Sequence, residues 1–371
     1  MLIIKESDVY TLLKLQESID VNENVFRLHS DSKVDCPSRT LIKVVDNGNN
    51  NDIGKSGEAG SVDNSSKPTT TTATPTTNLC YFKPAYVEGN GVGLKIVSVF
   101  PDNIKKGLPT IPATIVLLDE NTGFTKAIVG ATYLTGVRTA AGSAVVAKRF
   151  ASEESKVLTI FGTGLQAQLH LQMILLVRKS IEKVVVVSKS LDRALAFIKE
   201  SQEKLKDSKE ITLSKDIEFV AELDGNKAVQ DSDIVVTATA ATPTPLFDGA
   251  VLVEKAKLKK IVVLSVGSST PANRETDTFL FKNSNVIVDD INSCSKSGEL
   301  SIPETEEKGF NSSTHIRGEL GDVLTGKKPL DASNNLILFK SAGTAIQDIA
   351  TAALVYQRAK ELGIGIDVNL D

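Results

Sequence analysis

Leu158-Thr159-Ile160-Phe161-Gly162-Thr163-Gly164-Leu165-Gln166-Ala167 runs an apolar stretch into a glycine-rich turn and out into a helix whose apolar face is Leu165, Leu169, Met173 and Leu176. A strand, a GxGxxA turn and a helix in that order open a parallel βαβ unit built to hold a dinucleotide. Gly162 permits the tight turn, Gly164 lets the backbone approach a pyrophosphate, and Ala167 lets helix pack closely on strand. The amides around Thr163, Leu165 and Gln166 then face the anion from the positive end of the helix.

One strand further on, 184–187 runs into Ser188-Lys189-Ser190, where an acid would accept hydrogen bonds from an unphosphorylated ribose. Lys189 places a cation, and Ser188 and Ser190 place hydroxyl donors, where a 2′-phosphate would lie. NADP(H) is therefore expected over NAD(H), which stays possible. Asp192, two residues beyond, works against that preference.

Around this unit the chain alternates strands with helices: 157–161, a helix over 166–179, 184–187, a helix from Asp192, 234–239, 261–266 and 286–289. That rhythm predicts an α/β fold with a parallel sheet and right-handed crossovers. Upstream the pattern is β-rich, with strands at 79–86, 93–99 and 113–119 and a hairpin turn at Asn121-Thr122-Gly123 into 124–129. Ser7 or Asp8 is expected to cap an opening helix carrying Val9, Leu12, Leu13, Gln16 and Ile19. Residues 46–78 are mostly Asn, Gly, Ser, Thr and Pro, with little to bury against ordering entropy, and are expected to form a disordered insertion. Ser341-Ala342-Gly343-Thr344 leads into an Ala-rich helix at 345–360, stopped by Gly363.

Composition narrows the partners. Hydrophobic residues make up 41% against only 5% aromatic, which fits an aliphatic core of buried strands under helices better than an aromatic sandwich. The 42 Lys and Arg against 46 Asp and Glu give a charge of −4 with no basic run, so nucleic acid is not expected. No apolar run approaches the roughly 18 residues that span a bilayer, and Lys5 and Glu6 follow the first apolar residues too soon for a signal peptide; no membrane association and a cytoplasmic location are expected. Cys36, Cys80 and Cys294 show no pairing pattern and His29, His170 and His315 no ligand spacing, so no metal is expected.

Three segments in order, Gly136-Val137-Arg138-Thr139-Ala140-Ala141-Gly142-Ser143-Ala144, the 162–167 turn, and Phe339-Lys340-Ser341-Ala342-Gly343-Thr344-Ala345-Ile346-Gln347-Asp348, resemble the ornithine cyclodeaminase and mu-crystallin family. The resemblance implies a Rossmann domain at 138–334 inserted in a β-rich substrate and dimerisation domain made of 1–137 and 335–371, and a homodimer. It implies a carboxylate clamp of Arg39, Lys95 and Arg138, with Lys95 or a water it holds delivering a proton. It adds Gly343 and Thr344 on the substrate side, and Arg138, Thr139, Thr237, Ala238, Thr239, Val266 and Ser269 on the cofactor side.

Two departures from the family pattern matter. Tyr81 and Ser269 stand where the cyclodeaminases carry acids, and Lys83-Pro84 replaces a Met-Pro pair. A serine hydroxyl is no base at neutral pH without an activating neighbour. The resemblance therefore leans to the mu-crystallin-like reductases, which act on a C=N bond of a carboxylate-bearing imine or on the corresponding amino acid. A non-catalytic binder of NADP(H) or a small ligand, and an ornithine cyclodeaminase, remain the alternatives.

Overall fold

The structure, a computed structural model, describes residues 1–45, 77–213 and 216–369. The expected insertion at 46–78 lies outside the described residues except for Thr77 and Asn78, which open a strand.

Eight parallel strands form one sheet, in the order Glu218–Glu222, Lys183–Val187, Val157–Phe161, Ile234–Thr237, Ile261–Ser265, Leu336–Lys340, Asn285–Val288 and Ile316–Glu319. Its inner strands, such as Ile234–Thr237 and Ile261–Ser265, are buried at every position, as both faces are covered. That is why they read as unbroken Val and Ile rather than as alternation. The partly exposed Glu218–Glu222, the late Ile316–Glu319 and Leu336–Lys340 are strands that the sequence pattern does not mark.

The second sheet is mixed, in the order Ile366–Asp367, Leu2–Ile4, Thr125–Gly130, Ala113–Leu118, Gly91–Val99, Thr77–Val87 and Val34–Asp35, with Thr40–Val45 also paired to Thr77–Val87. Gly91–Val99 alternates buried and half-buried residues, the signature of a sheet with one face on a core. That core face is covered by the helix Ala345–Leu362, capped at its start by Thr344 and ended by Gly363 in the left-handed conformation.

Three expectations need correction. Residues 335–371 do not all belong with the mixed sheet: Leu336–Lys340 pairs inside the parallel sheet, and only the chain after it returns. The boundary at 138 falls within a 19-residue helix, Thr132–Phe150, buried from Gly136 to Ala147 and packed against helices of both modules. The opening helix is two helices, Glu6–Leu12 and Leu15–Ser30, and the first is entered through Lys5, so Ser7 and Asp8 lie within its first turn rather than at the cap. The second starts afresh because the Glu210 carboxylate, from beyond the parallel-sheet helix Leu191–Asp207, accepts the backbone N–H groups of Leu15 at 2.9 Å and Gln16 at 3.3 Å. A cap supplied from so far along the chain leaves no local signal.

Candidate active site

The dinucleotide turn adopts the geometry its residues predict. Gly162 has φ +110°, and a side chain there would overlap the Ala238 carbonyl. Gly164 caps the helix Leu165–Val177 without a side chain, so the first-turn N–H groups stay available to an anion. These features fit a pyrophosphate. The ends of neighbouring strands converge on the turn: Gly162 N–H donates to the Val187 carbonyl at 3.0 Å, and Ala238 N–H to that of Phe161 at 2.9 Å.

The hydroxyls of Thr237 and Thr239 are taken up within the fold. Both donate to the fully buried carboxylate of Glu275, at 2.8 Å each, which also accepts the N–H groups of Thr239 and Gly267 at 2.7 Å. Burial pushes the Glu275 carboxyl up, and Lys340 and the Thr239 and Thr237 donors offset this only in part. Glu275 thus ties together the loops after two adjacent strands, and the backbone around Ala238 is what they present. Val266 N–H donates to the Thr237 carbonyl at 3.0 Å in the same weave. Ser269 is exposed at the tip of its turn, whereas Ser268 is buried with its hydroxyl on the Asn273 carbonyl. On the ribose side, Lys189 is exposed, the Ser188 hydroxyl oxygen accepts the N–H of Ser190 at 3.4 Å, and that of Ser190 caps the next helix by accepting the N–H of Arg193 at 3.5 Å.

Across from the turn lies a cluster of buried charge. Lys95 occupies an inward slot of Gly91–Val99 where alternation calls for an apolar residue, and Lys83 occupies the inward slot directly opposite on Thr77–Val87. Like charges facing each other across a ladder are destabilising unless something neutralises them. Asp348, in the first turn of Ala345–Leu362, does part of this. Its carboxylate takes Lys95 Nζ at 2.7 Å and Arg138 Nε at 2.8 Å, with all three side chains almost wholly buried. Burial alone would raise the Asp348 carboxyl; Arg138, Lys95 and Lys83 outweigh it and hold it below the usual range. Burial and the Arg138 guanidinium push Lys95 well down, so it parts readily with a proton.

Arg138 is held from several sides. A side chain at Gly343, which has φ +74°, would overlap its guanidinium, and Gln347 accepts from it at 3.4 Å while donating to its backbone carbonyl at 3.0 Å. Thr344 is occupied as the helix cap, exchanging bonds with Gln347. The Thr139 hydroxyl donates back to the Thr135 carbonyl at 2.7 Å, and the Thr135 hydroxyl receives Lys95 at 3.4 Å. Asp289 anchors the whole loop through the N–H of Gly343 and the hydroxyl of Ser341, both at 2.6 Å. This loop is continuous with the parallel sheet, since Ser341 N–H donates to the Ser265 carbonyl at 3.0 Å and Lys340 Nζ to that of Ser268 at 2.7 Å. The cluster therefore adjoins the turns at the cofactor end of the sheet.

Arg39 stands apart from Lys95 and Arg138. It lies half-buried with its guanidinium 5.0 Å from the Tyr81 ring centroid, and it lines a pocket with Lys83 and Thr344. The expected trio is split into an inner pair and an outer arginine. Asp348, Glu275 and Asp289 carry no assigned role in the sequence reading; an acid inside an Ala-rich buried helix start is the signal that marks Asp348.

Fold and site together define an NAD(P)-dependent oxidoreductase. The chain belongs to the ornithine cyclodeaminase/mu-crystallin family, whose sequence model matches residues 55–363, and stands with its reductase-like branch. It is 42% identical over the full length of both chains to an uncharacterized cyclodeaminase of Dictyostelium discoideum. It is 33% identical to a Delta(1)-pyrroline-2-carboxylate reductase of Bacillus cereus, covering 78% of this chain and 84% of that one. The Thermococcus litoralis Delta(1)-pyrroline-2-carboxylate reductase, solved in complex with NADH and L-proline, superposes with a TM-score of 0.81 at 30% identity over 99% of this chain and 100% of that one.

Proposed function

We propose that this protein reduces the C=N bond of a carboxylate-bearing imine, or runs the reverse oxidation of an amino acid, with Arg138 and Lys95 holding the carboxylate. The observation that carries this reading is the buried Lys95–Asp348–Arg138 cluster, in which two cations share one carboxylate and leave a positive charge for a ligand anion. A bound nicotinamide supplies the hydride. The chain's own work is to bind, orient and protonate. The planar Arg138 guanidinium grips a carboxylate, locked in place by Gly343 and Gln347. Lys95, its proton loosened by burial and by Arg138, gives it up to the imine nitrogen directly or through a water. Arg39, stacked on Tyr81, lines the adjoining pocket with Lys83 and Thr344.

For the coenzyme, Lys189 and the hydroxyl donors of Ser188 and Ser190 favour a 2′-phosphate, with NADH accepted less well. A homodimer in the cytoplasm is the working arrangement of this reading. The test mixes the protein with NADPH or NADH and cyclic or open-chain imino acids and follows absorbance. Consumption is expected, with NADPH the tighter coenzyme by about tenfold and Lys189→Ala erasing that margin. Coenzyme binding without consumption across the panel, or tighter NADH binding by the wild type, would contradict the respective halves.

A further inference from the structure

Lys83 is the buried cation that the reaction above leaves without a counter-charge. Asp348 and one substrate carboxylate balance Lys95 and Arg138. Lys83 Nζ is bonded to the carbonyl of Gly343 at 2.7 Å, and no carboxylate among the described residues forms an ion pair with it. It is only 6% exposed, directly opposite another lysine. Burial pushes it down to about 8; Arg138 and Arg39 add to this, against the pull of Asp348 and Asp289. An ammonium kept in such a place costs stability, and a Met-like side chain would fill the slot more cheaply.

The space beside Lys83 carries two further cations and several polar groups, with Cys36, Pro37 and Ala345 completing its wall. It is lined by Ser38 and Arg39 from one module and by Asn292, Ser293 and Lys296 from the other. Asp290 also lines it, but its carboxylate is engaged with the N–H of Ser293 at 2.6 Å as a helix cap.

We infer that Lys83, with Arg39 and Lys296, receives a second anionic group of the substrate, so that the enzyme takes the imine of a dicarboxylic oxo acid in preference to an imino monocarboxylate. This rests on the reaction proposed above and adds the substrate class to it. Arg138 and Lys95 hold the carboxylate next to the C=N bond; the side-chain carboxylate reaches across Gly343 to Lys83. Gly343 touches both stations, its carbonyl taking Lys83 and its Cα abutting the Arg138 guanidinium, and Asp289 holds it in place.

The experiment compares the imines formed from ammonium with oxaloacetate and with pyruvate, and 1-pyrroline-2-carboxylate, each with saturating reduced coenzyme. Wild type is expected to show a higher kcat/KM on the dicarboxylate imine. In Lys83→Met the ratio of dicarboxylate to monocarboxylate kcat/KM should fall by about 30-fold, mostly through KM. Calorimetric titration of the coenzyme-loaded protein gives a readout that needs no turnover: succinate should bind more tightly than propionate, and Lys83→Met should remove the difference. A wild type that prefers monocarboxylate imines, or a ratio unchanged in Lys83→Met, overturns the inference; equal losses on all substrates would make Lys83 a general positioning residue instead. If no imine is consumed the proposed reaction fails, and the succinate and propionate titrations still decide the anion site.

Discussion

The two sheets treat charge in opposite ways. In the parallel sheet polar side chains gather at strand ends and are satisfied from within: Thr237 by Glu275, and Lys340 by Glu299 at 3.3 Å and the Ser268 carbonyl at 2.7 Å. In the mixed sheet Lys83 and Lys95 stand within their strands, inward and opposed, with Asp348 as the carboxylate shared by Lys95 and Arg138. The first arrangement is a scaffold whose buried charges are matched within the fold. The second is a cationic surplus that a ligand completes, and holding it costs stability in the absence of that ligand.

The sharpest way to break this contrast is to remove a member of the inner cluster. Arg138→Ala leaves Asp348 with a weakened environment and the substrate carboxylate without its grip, and is expected to lower kcat/KM by about a thousandfold, or about 4 kcal/mol. Arg138→Lys should restore little, since an ammonium lacks the planar fork. Wild-type kcat/KM in Arg138→Ala would show that the cluster is structural only.

Lys83→Met tests the other side, the cost of the surplus. The Lys83 pKa falls from an ordinary 10.5 to about 8 on folding, so the unfolded chain binds the extra proton between those values. Stability is therefore reduced fully below pH 8 and recovers as pH rises toward 10.5. Lys83→Met should stabilise the protein at pH 7 by about 2–3 kcal/mol, with the gain over wild type shrinking as pH climbs through that window. Urea unfolding at several pH values checks it; a destabilised Lys83→Met would mean that the ammonium is well compensated. On the scaffold side, Gly162→Ala forces a side chain into a positive φ and against the Ala238 carbonyl. It should cost about 1–2 kcal/mol and weaken coenzyme binding about tenfold, measured by coenzyme titration.

The parallel sheet was largely legible in the sequence because its signals are local: apolar strand runs, a glycine turn whose residues each have one task, and helix stops such as Gly363. Leu336–Lys340 carries an apolar run too, but nothing in it shows that it joins this sheet between Ile261–Ser265 and Asn285–Val288. Thr132–Phe150 also escaped. Gly136 and Gly142 weaken its helical pattern, yet each lies where a side chain would crowd a neighbour, Leu169 or Gln347. At the site, spacing marked the phosphate turn and the resemblance pointed to Lys95 and Arg138, while neither gave a hint that Asp348 neutralises two of the cations or that Glu275 occupies the hydroxyls of Thr237 and Thr239. Those roles are pairings across the chain, 253 residues apart for Lys95 and Asp348, and no short-range pattern encodes them.

The carboxylate of Glu210 that begins the helix Leu15–Ser30 has a mechanical meaning as well. It fastens a loop of the coenzyme-bearing half to the backbone of the other half, at a point remote in sequence from the Lys95–Asp348–Arg138 ion pairs. Without that carboxylate the N–H groups of Leu15 and Gln16 would be left to water and the start of the helix would fray.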